Sequence, residues 1–149
     1  MASDALTFQD RFSIFEQLNL HQRCIDTPWG AEAAAQYVDI YWPEGKFVLN
    51  DVRHTEFSQP EGLKRMFDYA HSVFPLNKWF HTIGPFEITG NTTEAKTEWR
   101  WSVNCKAEKE GVVSTGTYTD LFEKRGVIWK CLERTISKKL CCAMYRVVL

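Results

Sequence analysis

The chain has 149 residues, 44% hydrophobic and 14% aromatic, enough to build one domain around a core of its own. Eighteen basic against nineteen acidic side chains give a formal charge of -1, and like charges do not cluster into the basic stripe that nucleic acid requires. No apolar run approaches the roughly 18 to 20 residues needed to span a bilayer, and the N-terminus lacks the basic-then-apolar pattern of a secretory signal, so a soluble, cytoplasmic protein without a membrane partner is expected.

From Leu6 to Asp26 the residues Phe8, Phe12, Phe15, Asn19, Gln22 and Asp26 recur at the helical period with no interior proline or glycine. This predicts a long first helix whose inward face is aromatic for three turns, then polar, ending on Asp26. Thr27 and Pro28 are expected to cap and open a second short helix through about Ile40, stopping at WPEG. GKFVLNDVRHTEF predicts a strand or bent hairpin, and SQPE, from Ser58 to Glu61, a capping box for a third helix carrying Leu63, Met66, Phe67 and Phe74. Four apolar-alternating runs follow: 79–89, 93–106, 111–124 and 127–138. Their connections carry Gly90-Asn91, the charged KAEKEG and Arg125-Gly126, as an antiparallel meander requires. There are no internal repeats or linkers, so residues 1–149 are expected to form one domain, with a core over 6–138 and a tail over 139–149.

The five cysteines, Cys24, Cys105, Cys131, Cys141 and Cys142, form no CxxC pair and are odd in number, which predicts free thiols; the adjacent Cys141 and Cys142 are the pair prone to oxidation. His21, His54, His71 and His81 show no HxH or HExxH spacing, so no metal centre is expected. His21 and His71 fall off the apolar faces of their helices and are expected in solvent. His81, between Phe80 and Thr82 on a strand, is either a packing residue or the proton-transfer group of a cavity. Strand alternation puts Tyr118, Asp120 and Phe122 on one face, and Trp129, Cys131 and Glu133 on one face of the last strand.

Three helices followed by a curved antiparallel sheet predict an α+β cone: a cone-shaped barrel in which the sheet wraps around the long N-terminal helix and leaves a pocket. The pieces "CIDTPWGAEAAAQYV", "YWPEGKFVL", "FHTIGPFEITGNTTEAKTEWRW" and "GTYTDLFEKRGVIWKCLERTI", in this order, resemble the SnoaL-like and scytalone-dehydratase-like branch of the nuclear-transport-factor-2-like superfamily over residues 6 to 138. The resemblance implies an enzyme without a cofactor that works on a small molecule by acid–base chemistry: a dehydratase, isomerase or cyclase of secondary-metabolite biosynthesis acting on a polycyclic or polyketide/terpenoid-type intermediate. In such enzymes an aspartate ending the first helix pairs with a histidine at the start of the third strand, the places held by Asp26 and His81. Where scytalone dehydratase has a second histidine, this chain has Asn104 or Cys105. The Arg–Asp pair of limonene epoxide hydrolases is replaced by Arg100 and Ser102.

The resulting assignment makes His81 the proton-transfer group, oriented by Asp26. Asp120 or Glu133 is the complementary acid or base, and Tyr118 the hydrogen-bond donor to the substrate. Asn19, Gln22 and Asn104 orient the ligand, and Phe122 and Trp129 supply aromatic wall. Two titratable groups pushed apart by their surroundings make such an acid–base pair. The resemblance further implies a homodimer through the outer face of the sheet. A non-catalytic cone that binds a ligand or protein, and the scaffold β subunit of a ring-hydroxylating dioxygenase, are the alternative readings.

Overall fold

The computed structural model describes residues 5–50, 55–73, 79–105 and 112–140. Its elements, in chain order, are α1 (Phe8–Asp26), α2 (Ala31–Asp39), β1 (Tyr41–Leu49), β2 (Thr55–Ser58), α3 (Glu61–Val73), β3 (Trp79–Gly90), β4 (Glu94–Cys105), β5 (Val112–Arg125) and β6 (Ile128–Leu140). The six strands form one curved sheet in the order β2-β1-β6-β5-β4-β3. It is mixed and not fully antiparallel as expected: β1 runs parallel to β6, while every other pair is antiparallel. After the β1–β2 hairpin, α3 carries the chain to the far edge, and the meander returns to β1 only after three reversals. The last of its turns holds Gly126 at φ 64, a left-handed conformation that glycine adopts without cost.

α1 starts at a reciprocal capping box. The Asp10 N–H donates to Thr7 Oγ1 and the Thr7 N–H donates to the Asp10 carboxylate, both at 3.1 Å. Asp10 also accepts from Lys124 Nζ at 2.7 Å and Trp129 Nε1 at 2.9 Å, tying the start of α1 to the β5–β6 hairpin. Lys124 first, then Thr7 and Trp129, hold its carboxyl well below the usual carboxylate range.

The inward stripe of α1 differs from the expected one. Ile14, Leu18, His21 and Ile25 are buried, whereas Phe8 is 83% and Phe12 49% exposed, and Phe15 stacks on Phe86 at 5.1 Å at the side of the cone. Residues 14, 18, 21 and 25 repeat at the same period as 8, 12, 15, 19, 22 and 26, rotated by about 100°. Periodicity alone therefore supports both stripes, and the sheet selects the aliphatic one. The second helix also starts later than expected. Thr27 caps the end of α1, its hydroxyl donating to Arg23 O at 2.6 Å, and Gly30 is the N-cap of α2.

Candidate active site

The end of α1 meets the start of β3. Asp26 Oδ1 lies 2.6 Å from His81 Nδ1, and the backbone N–H of His81 donates to Asp26 Oδ2 at 2.9 Å. One carboxylate thus grips both the ring and the backbone of the histidine, which fixes the ring's orientation. A carboxylate is disfavoured at a helix C-terminus by the helix dipole, and these donors offset that cost. The His81 side chain is 7% exposed and Asp26 26%, so the pair sits at a mouth and not in bulk solvent. A cleft of about 500 Å³ opens on it, lined also by Glu16, Asn19, Gln22 and Arg23.

Behind the pair the cone interior is aromatic and polar together. The Trp101 ring lies 6.3 Å from His81 and 6.0 Å from Tyr118; Tyr118 stacks on Trp99 at 4.4 Å. His21, 1% exposed, is held among Tyr37 at 5.3 Å, Tyr118 at 5.4 Å and Trp99 at 6.2 Å. Its burial first, then the nearby Arg134 guanidinium and His81, push its pKa well below 6.5, so the ring is neutral. The Arg134 guanidinium packs 5.4 Å from the Trp99 and Tyr118 rings. Burial alone would lower the Arg134 pKa, but the Asp120 carboxylate, with Tyr41 and Cys131, outweighs it and keeps the guanidinium charged. Among the described residues, Arg134 Nη1, Trp101 Nε1, Gln22 Nε2 and both ring nitrogens of His21 are buried without a hydrogen-bond partner. Buried polar atoms are nearly always paired with protein or ordered water, so these groups are the polar contacts the interior offers, donors in Arg134, Trp101 and Gln22 and one donor with one acceptor in the neutral His21.

Several predicted site residues come together here and others do not. Asp26, His81, Asn19 and Gln22 share the cleft, and Tyr118 faces the interior as a wall. Asp120 also faces inward, as its alternation predicts, but it is not a free acid or base. Its oxygens accept four donors: Arg134 Nε at 2.6 Å, Arg134 Nη2 at 3.0 Å, Trp99 Nε1 at 2.8 Å and Thr97 Oγ1 at 2.9 Å. Glu133 lies outside the cone, paired with Lys46 at 3.3 Å. The register of β5 on β6 slips between Leu121–Glu133 and Phe122–Cys131, so Leu132 is an extra residue that reverses the alternation and turns Arg134 inward in place of Glu133.

Asn104 is on the outer face as well, its Nδ2 donating to Thr82 Oγ1 at 3.3 Å, because it alternates with the buried Val103. Phe122 and Trp129 are buried, but at the other end of the sheet. His81 pairs with Val103 and Val103 with Ser114, whereas Trp129 pairs with Lys124, ten residues further along β5, on the order of 33 Å of strand. Trp129 serves Asp10 there and cannot line the His81 cleft.

The interior behind the pair holds His21, Arg134 and Trp101, none of them expected there, and His21 is buried where solvent exposure was expected. His21 was legible in retrospect from its place on the Ile14, Leu18, Ile25 row. No group of three or more His, Cys, Asp or Glu side chains among the described residues is placed to hold a metal ion. Cys24 and Cys131 are buried free thiols. Phe74, Arg53, His54, Cys141 and Cys142 lie outside the described residues, and no helix among those described is long and apolar enough to cross a membrane.

No protein-family profile matches the chain, and no curated protein sequence matches it. Solved structures do. A protein of unknown function with a cystatin-like fold from Nostoc punctiforme superposes with a TM-score of 0.77 at 19% identity, covering 90% of this chain and 94% of that one. An NTF2-like protein with a cystatin-like fold from Novosphingobium aromaticivorans gives 0.71 at 14% identity, over 95% and 90%. The hexachlorocyclohexane dehydrochlorinase LinA-type3 from Novosphingobium barchaimii gives 0.65 at 13% identity, over 87% and 86%. The fold is therefore the cystatin-like, nuclear-transport-factor-2-like cone, and at these identities the likeness concerns the fold alone.

Proposed function

We propose that the chain is a cofactor-independent acid–base enzyme of the isomerase, cyclase or dehydratase kind, acting on a polycyclic, polyketide- or terpenoid-type intermediate of secondary metabolism. The observation that carries this reading is the Asp26–His81 contact at the mouth of an aromatic interior. Asp26 accepts the Nδ1 proton, which leaves Nε2 as the basic nitrogen and stabilises the imidazolium formed when it takes a proton. The proton comes from a carbon next to a carbonyl or a leaving group. The C–H electron pair then forms a new double bond, and either the leaving group departs with its own pair or the carbonyl oxygen becomes an enolate. That electron-rich end is received by the buried donors Arg134 Nη1, Trp101 Nε1 and Gln22 Nε2. The imidazolium returns its proton to the leaving group or to a second carbon.

The SnoaL-like resemblance of the sequence supports the substrate class, and a hexachlorocyclohexane dehydrochlorinase among the structural neighbours supports an elimination on a cone of this fold. The test is conversion, or deuterium uptake from heavy water, by purified protein offered oxygenated aromatic and polycyclic compounds. His81→Ala and Asp26→Asn are each expected to lose about 10²- to 10⁴-fold in rate while remaining folded. Unchanged rates in both variants would overturn the assignment, and binding without turnover in the wild type would make the chain a ligand-binding cone.

A further inference from the structure

α3 ends against the turn that follows Asp26. His71, in its last turn, directs both ring nitrogens at backbone carbonyl oxygens, Nδ1 at Phe67 O and Nε2 at Thr27 O, each at 2.9 Å. A carbonyl oxygen only accepts, and a neutral imidazole carries a single N–H, so both bonds exist together only in the imidazolium. His71 lies in the last turn of α3, with its ring 4.1 Å from the Phe67 ring.

Thr27 is the residue that caps α1, directly after Asp26. One turn earlier on α3, Asp68 Oδ1 accepts from Trp29 Nε1 at 2.7 Å, so Thr27 and Trp29 are both tied to α3 by side chains three residues apart. We infer that His71 is a positioning residue for the Asp26–His81 pair. As the imidazolium it holds the Thr27 carbonyl, and with it the end of α1, where the Asp26 carboxylate meets His81. Loss of its proton removes one of the two bonds and loosens that end. The charged residues nearest in sequence to His71 on α3 and to Thr27 at the α1–α2 junction are Asp68, Arg23, Asp26 and Glu32; further along the same helices lie Glu61, Lys64 and Arg65 on α3, Asp10, Arg11 and Glu16 on α1, and Asp39 on α2. Of these, Asp68 is engaged by Trp29, Asp26 by His81 and Glu32 by Gln36.

The inference rests on the proton-transfer reading of that pair, but its test reads geometry and not turnover. The full chain, labelled with ¹⁵N-histidine, is titrated from about pH 5 to pH 8 by NMR, following the ring nitrogens of His71 and the Nδ1 proton of His81. The expected result is that both His71 nitrogens are protonated at the acid end, and that the His81 signal shows a step at the midpoint of the His71 titration. In His71→Gln that step is lost, while circular dichroism shows the fold retained. A His71 ring that stays neutral throughout, or a His81 step that persists in His71→Gln, overturns the inference. Should His71→Gln fail to fold, the wild-type titration decides by whether the two midpoints coincide. A protein that shows the coupling yet converts no compound would refute the enzyme reading and leave this one standing.

Discussion

Asp120 and Glu133 are both acidic strand residues, and only their partners separate their roles. Asp120 is fully buried with Arg134, its oxygens saturated by donors. Asp120→Asn leaves a buried guanidinium without its counter-charge and is expected to cost about 3 to 5 kcal/mol in urea unfolding. Glu133→Gln breaks a pair with Lys46 that is about one-third exposed on each side, and solvent screening limits the cost to about 0 to 1 kcal/mol. If instead Glu133→Gln abolished conversion and Asp120→Asn left stability unchanged, the placement of the two carboxylates would be wrong. The pairing of Asp26 with His81 was legible only through the family resemblance, which implies such a pair at a helix end and a strand start; the residues alone left His81 a packing group or a proton-transfer group. The saturation of Asp120 was not, because its four donor groups come from residues 97, 99 and 134, on two other strands.

At the scale of elements, the boundaries set by hairpin turns were the readable ones, whereas the Thr27-Pro28 signal closed α1 and did not open α2. The turns at Gly90-Asn91 and Arg125-Gly126 end strands within a residue or two of where their chemistry predicts. The start of α1 depends on a local device, the Thr7–Asp10 box, and Thr7→Ala is expected to lower stability by about 1 kcal/mol, read as a reduced unfolding midpoint at constant slope. An unchanged midpoint would mean that Asp10, through Lys124 and Trp129, holds the helix start without the cap. The face of α1 and the parity of β6 were not readable. Two stripes of equal period compete on the helix. The extra residue Leu132 reverses the strand only because β5 pairs on both sides of it.

The whole molecule confers a pH dependence that no segment has alone. Enclosure by α2 and the sheet keeps His21 neutral, its folded pKa lying well below the 6.5 of an open chain. The unfolded state therefore takes up the proton first. The contribution is fully present above about pH 6.5 and is lost as pH falls below it, by up to about 1.4 kcal/mol per pH unit. The Asp10 contribution, from a carboxyl held below its ordinary 3.8, survives until the pH falls past that value, so the loss between the two belongs to His21 and not to Asp10. Chemical unfolding at a series of pH values is expected to show a shallower decline for His21→Gln than for the wild type across that window. Equal slopes would mean that His21 is protonated in the folded chain.

The residues in order were enough to read the sequence and type of the elements, the helical and alternating patterns that make a cone, and, through the resemblance, the two residues that meet at its mouth. Each of these follows from local propensity, turn chemistry or the resemblance of ordered segments. Folding settled the rest: which stripe of α1 faces the sheet, that β1 runs parallel to β6, and that Arg134 and His21 share the interior while Glu133 lies outside. Those outcomes depend on register and on partners distant along the chain, and a slip of one residue reverses a strand's faces without changing its composition.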